Sequence, residues 1–165
     1  MIELYRAIIP ASKVINDNAG QHYRTHMGKL DWLTNQFNWF MKDEVENVGG
    51  FKLPSLEEVK EYTKDKKFIS IRCEVWRCRN IRFDPQNYAK TFKAPIDLLV
   101  SNGYIQDDNW KFVDGITYCG GGPEVWDKRP FRYDNDGLPD DLTPDWWLEN
   151  CSGDYNDIMI RILIS

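Results

Sequence analysis

No stretch of this sequence approaches the roughly 20 consecutive apolar residues that a membrane-spanning helix needs. Its opening, MIELYRAIIP, lacks the basic-then-apolar layout of a secretory leader. The expectation is a soluble, cytoplasmic protein with no membrane partner. The four cysteines (Cys73, Cys78, Cys119 and Cys151) show no paired close spacing, which argues against a disulfide-stapled scaffold. Cys73 and Cys78 stand on a strand-like segment with no second close pair, a poor match to structural zinc sites. All four read as reduced core thiols. No internal repeat and no low-complexity tract is present.

An excess of positive charge is also missing. The net charge is −5, which on its face disfavours a nucleic-acid partner. The distribution reverses that reading. Residues 1–119 hold 17 Lys+Arg against 16 Asp+Glu, whereas residues 120–165 hold 4 against 10. Between 66 and 93, eight basic residues (Lys66, Lys67, Arg72, Arg77, Arg79, Arg82, Lys90, Lys93) face only Glu74 and Asp84. The middle of the chain is basic and the acidity is confined to the tail.

What is present suffices for one core: 165 residues, 42% hydrophobic and 14% aromatic, match a single domain. IELYRAII reads as a first strand ended by Pro10, followed by a long polar loop through about Gly28. Apolar residues at 30, 33, 37, 40, 41, 45 and 48 predict an amphipathic helix stopped by Gly49-Gly50. Ser55 with Glu58 is a capping box opening a second helix through about Lys64. KFISIRCEVW alternates as a strand. Asp84-Pro85 supplies an N-cap and a first-turn proline for a third helix. Its apolar stripe is Tyr88, Phe92, Ile96 and Leu99, and its charged side Gln86, Lys90, Lys93 and Asp97. Pro95 should kink that helix, and Asn102-Gly103 should end it. A short strand is expected at Tyr104-Ile105, another over KFVDGITYC, and a last one over DIMIRILIS, with Ile158, Ile160, Ile162 and Ile164 on one face. These elements predict an α/β (α+β) fold: a mixed sheet of about four strands with two or three helices. Residues 120–156, rich in Trp and Asp, look like a lobe inserted before the last strand, with a helical turn at Thr143-Pro144-Asp145.

The chemistry-bearing run is FDPQNYAKTFKAPIDLLVSNGYIQDD. It sets an acid at a helix start, lysines and a second acid along the helix, and two adjacent acids after the return. If the helix start and the returning segment meet in space, carboxylates that would otherwise repel can share a hard divalent ion, Mg²⁺ or Mn²⁺. Such an ion activates water and stabilises the leaving oxygen of a phosphodiester, while a lysine holds the phosphate. The bland readings are an ordinary N-cap for Asp84, a surface pair for Lys93 and Asp97, and turn chemistry for Asp107-Asp108. Arg77, Arg79 and Arg82 could be a solvated edge or a DNA contact, and His22, Arg24 and His26 idle loop residues or phosphate ligands. DNDGLPDD (134–141) lacks the spacing of a calcium loop and reads as an acidic turn.

This run resembles the signature of the RusA-type Holliday-junction resolvases: Asp-x-Asp-Asn opening a helix, then a Lys, an Asp-x-Leu, a Gly and an Asp-Asp pair. Asp84 and Asn87 fill the first and last places of the opening, Lys93 the lysine, Asp97-Leu98-Leu99 the helical segment, and Gly103 and Asp107-Asp108 the end. The likeness extends weakly over residues 2–118 and the last strand. It implies a homodimeric, structure-selective endodeoxyribonuclease acting on four-way DNA junctions in recombination and repair, with phage or prophage ancestry. By the same resemblance Asp84, Asp107 and Asp108 would hold Mg²⁺ or Mn²⁺ and Lys93 would be catalytic. Arg77, Arg79, Arg82, Lys90, Lys93, His22 and Arg24 would face DNA. Two departures matter: Gln86 stands where the family has its second acid, so Glu74 or Asp97 must replace it or cleavage is weakened, and residues 120–156 have no counterpart in the family pattern. The alternative is a RusA-like protein that binds branched DNA without cutting.

Overall fold

The computed structural model describes residues 1–16, 22–42, 51–77, 84–120 and 157–165. Within them the chain forms strand β1 (Ile2–Ile9), helices α1 (Tyr23–Met41) and α2 (Leu56–Thr63), strand β2 (Ile69–Arg77), helix α3 (Ala89–Ser101), and strands β3 (Val113–Gly120) and β4 (Ile158–Ile164). Short 3₁₀ turns precede α1, at Ala11–Lys13, and α3, at Pro85–Tyr88. The four strands make one mixed sheet in the order β1-β4-β2-β3. β4 pairs antiparallel with both neighbours, and β2 pairs parallel with β3. The parallel pair requires a crossover, and α3 provides it. This is the α+β, mixed-sheet architecture that the sequence predicts.

β4 lies between β1 and β2, so both of its edges are paired, and side chains on both of its faces are buried. Ile158, Ile160, Ile162 and Ile164 join one core, and Met159 and Leu163 are buried on the reverse face. The first core fills the space between the sheet and the helices. Tyr5 of β1 packs on Phe37 and Phe40 of α1, with ring centroids 5.0 and 5.1 Å apart. Phe92 of α3 meets Tyr118 of β3 at 5.9 Å. The stripe Tyr88, Phe92, Ile96 and Leu99 is buried, and Gln86, Lys90, Lys93 and Asp97 are exposed. Helix α3 runs on through Pro95, itself buried.

The reverse face carries a charged network built by one irregularity. Pairing of β1 with β4 shifts between Glu3 and Tyr5, and this bulge places Glu3 and Arg6 on the same side although three residues apart. Arg161 on β4 then reaches both neighbouring strands. Its Nε and Nη2 donate to Glu3 at 3.0 and 2.5 Å, and its Nη1 donates to Glu74 of β2 at 3.1 Å. Arg6 donates to Glu3 at 2.8 Å, Arg72 to Glu74 at 2.8 Å, and the Trp76 indole to Glu74 at 3.0 Å.

Two sequence expectations need correction. Helix α1 begins at Tyr23 rather than Leu30. His22, in extended conformation, accepts the Arg24 N–H on Nδ1 as N-cap (3.3 Å). The first turn is almost wholly exposed, so no apolar periodicity marks it. Tyr104-Ile105 is not a strand. Gly103 adopts φ +79°, and both the Tyr104 and Ile105 N–H groups return to the Leu99 carbonyl, closing α3 in a left-handed cap that leaves neither donor for a sheet. The capping box at Ser55 and Glu58 forms as expected, with both of its hydrogen bonds. Cys73 and Cys119 are free thiols, and burial pushes the Cys73 thiol well above its usual range. Cys78, Cys151, the basic run 78–83, and the lobe and helical turn within 121–156 lie outside the described residues.

The loop after β1 is tied to α3 through one buried side chain. Thr91 Oγ1 accepts the Ile15 N–H (3.0 Å) and donates to the Ile15 carbonyl (2.8 Å). Thr91→Val keeps the shape and strands both backbone groups, so it should cost about 2–3 kcal/mol. Urea unfolding checks this; a loss below about 0.5 kcal/mol would mean that the loop is held elsewhere.

Candidate functional site around Lys93 and Asp108

The site is assembled on the outer side of the β2-α3-β3 crossover. Asp84 caps the helical segment: its carboxylate accepts the Gln86 N–H at 3.0 Å, and Pro85 follows at the first helical position. One turn into α3, Lys93 projects from the exposed side. Its Nζ donates to Asp97 at 2.7 Å and to Asp108 at 3.4 Å. The first contact is a helical i,i+4 pair; the second joins residues 15 apart in sequence across the return after α3. The hydrogen bond that Lys93 donates to Asp97 raises its pKa most, partial burial opposes it, and the charges of Asp97 and Asp108 add to the rise. Lys93 therefore stays cationic at neutral pH, suited to holding an anion rather than exchanging a proton.

The two adjacent acids are used differently. Asp108 turns to Lys93, whereas Asp107 accepts from Asn109 Nδ2 at 2.6 Å. Asn109 also takes the Lys111 N–H on its side chain, and its carbonyl takes those of Phe112 and Val113. It thus fixes the tight turn that delivers Asp108 and opens β3. Sequence reasoning missed Asn109, although Asn after an acid pair is a turn former. It also missed Lys29, whose Nζ donates to the Val14 carbonyl at 2.8 Å, since a helix lysine carries no such signal.

Asp84 does not join Asp107 and Asp108. Because β2 and β3 are parallel, starting together at Ile69 and Val113, the crossover helix begins at one end of the strands and finishes at the other. Nine residues of helical rise, roughly 15 Å, separate Asp84 from Lys93 along the axis. Among the described residues no group of three or more His, Cys, Asp or Glu side chains is placed to hold a metal ion. The donors are of the type that Mg²⁺ or Mn²⁺ selects, but their placement does not make a three-carboxylate seat. Neither candidate replacement for the acid absent at Gln86 alters this. Glu74 lies on the reverse face, 6% exposed and engaged by Arg72, Trp76 and Arg161, and Asp97 is bound to Lys93.

Of the residues expected to face DNA, Lys90 and Lys93 are exposed on α3, and His22 and Arg24 are exposed at the start of α1, which packs on α3. Arg77 is half-buried at the end of β2; Arg79 and Arg82 lie outside the described residues. No described helix is long and apolar enough to cross a membrane. Comparison with known proteins returned no match: no family model, no curated protein and no solved structure matches the chain.

Proposed function

We propose that the protein is a RusA-like, structure-selective endodeoxyribonuclease that acts on four-way DNA junctions. The observation that carries this reading is the Lys93–Asp108 contact, which joins the helix lysine to the second acid of the pair across 15 residues and so unites two parts of the resolvase-like motif. In this reading Lys93 anchors the scissile phosphate and balances the charge that develops on it. Asp108, within hydrogen-bond reach of Lys93, orients the attacking water and takes its proton. Lys90, His22 and Arg24 contact the backbone of the arms. A two-fold dimer suits a junction of approximate two-fold symmetry and would place two such sites for paired nicks.

The direct test is incubation with a synthetic four-way junction and with a linear duplex of the same sequence, in Mg²⁺ or Mn²⁺ and in EDTA. Paired nicks in the junction only, abolished by EDTA, are expected. Equal nicking of both substrates would remove junction selectivity, and no product under any metal would remove the nuclease reading.

The distance of Asp84 from Asp108, together with Gln86, favours a second reading: a relative that binds branched DNA without cutting it. It predicts junction binding in EDTA and no cleavage in either metal.

A further inference from the structure

Trp110 is 80% exposed, on the turn that follows Asp108, and Phe68 is 41% exposed. The two lie on adjoining segments, because the Ile69 N–H donates to the Phe112 carbonyl at 2.9 Å. Each carries a lysine over its ring: Lys111 Nζ stands 5.9 Å from the Trp110 centroid and Lys67 Nζ 5.1 Å from that of Phe68. Lys66 Nζ lies 4.6 Å from the Tyr62 ring. All three lysines are exposed, and none of the ion pairs among the described residues uses them. Of the acids on these segments, Glu61 is paired with Lys64 and Asp107 is held by Asn109. Asp65 and Asp114 are the exposed acids that remain.

Flat aromatic faces beside uncompensated ammonium groups are the combination that takes single-stranded nucleic acid: bases stack on the rings and phosphates meet the cations. A fully paired duplex offers no free base face, so it gains only from the lysines. A water-exposed indole contributes nothing to the core, and its position two residues from Asp108 sets it beside the strand that reaches Lys93. We propose that this surface binds unpaired nucleotides, with Trp110 stacking on a base and Lys66, Lys67 and Lys111 holding the adjoining phosphates. In a branched substrate these would be the nucleotides splayed at the branch. The inference rests on the nucleic-acid partner of the proposed function but not on cleavage.

The probe is a fluorescent oligo-dT of about 12 nucleotides, within the span such surfaces cover, beside a blunt duplex, titrated with the full chain in EDTA. Trp110→Ala should weaken oligo-dT binding about ten-fold or more and change duplex affinity less than about two-fold, while Trp110→Phe retains most of the affinity. Replacing Lys66, Lys67 and Lys111 by Gln should flatten the salt dependence by about two units of log–log slope. Because Trp110 is exposed, an unchanged unfolding midpoint of the variants serves as the folding control. Trp110→Ala binding oligo-dT as tightly as wild type overturns the proposal, as does an equal loss on duplex. If wild type binds oligo-dT through Trp110 yet cuts no junction, the nuclease reading falls and this one stands. If it cuts junctions while Trp110→Ala binds normally, the reverse holds.

Discussion

Replacing Arg161 by Met is expected to lower the unfolding free energy by about 3 kcal/mol and the midpoint temperature by about 6–12 °C. Arg161 touches carboxylates on both flanking strands, Glu3 on β1 and Glu74 on β2. All three are largely withdrawn from water, at 14, 12 and 8% side-chain exposure. Methionine preserves the apolar stem beside Trp76 and removes the charge, leaving the two carboxylates, among the described residues, with Arg6, Arg72 and the Trp76 indole to offset their lost hydration. Those remaining partners put the cost at the low end of the range for breaking a buried pair. Thermal and urea unfolding at pH 7 would measure it; a shift below about 2 °C would show that the network contributes little.

The same residues set a pH dependence. Burial acts to raise the Glu3 pKa, but hydrogen bonds from Arg161 and then Arg6, with their charges, outweigh it, and the net value lies below the ordinary 4.5. A carboxyl depressed in the folded state contributes stability that is complete above its unfolded value and lost as pH falls through the folded one. Wild type should therefore lose stability below about pH 4.5, and Arg161→Met, with Glu3 less depressed, should lose less over that interval. Adding Glu3→Gln to Arg161→Met should recover part of the loss at pH 7, since it removes a charge that has lost its principal partner.

None of this network is legible in the sequence, because Glu3 and Arg161 are 158 residues apart and an irregular register puts Glu3 on that face. What is legible is local. The capping box at Ser55 and Glu58, the Asp84-Pro85 start and the stripe from Tyr88 to Leu99 are set by hydrogen bonds and periodicity within a few residues. So are the alternating isoleucines of β4. The start of α1 is hidden because a solvent-facing turn has no apolar rhythm. Tyr104-Ile105 misleads because two apolar residues after a glycine read equally as a strand or as the tail of a helix cap. At the site, Lys93 meets Asp108 because the return after α3 brings the acid pair back alongside the helix, a long-range contact that residue spacing does not specify. The meeting of Asp84 with Asp107 and Asp108 fails on topology: a list of acids does not say that strands β2 and β3 run parallel, and that direction separates the two ends of α3.

That separation makes Asp108→Asn the most informative change at the site. The substitution keeps size and hydrogen-bonding capacity and removes only the negative charge beside Lys93. If Asp108 orients water and accepts its proton, junction cleavage should fall by about 100-fold or more, while junction affinity in EDTA stays the same or rises slightly as Lys93 is freed. Lys93→Met should lower both cleavage and affinity, since it removes the phosphate anchor itself. Asp84→Asn separates the two readings of the helix start. As a cap alone, asparagine serves as well as aspartate, and cleavage would be preserved; as a participant in catalysis, its loss would match that of Asp108→Asn. Gln86→Asp adds the acid that the resolvase-like motif places there, one helical residue beyond Pro85. A gain in cleavage with unchanged affinity would mean that the helix start moves toward Asp108 in the working complex. Equal rates for wild type, Asp108→Asn and Gln86→Asp would exclude both acid positions from the chemistry and leave Lys93 as a binding residue only.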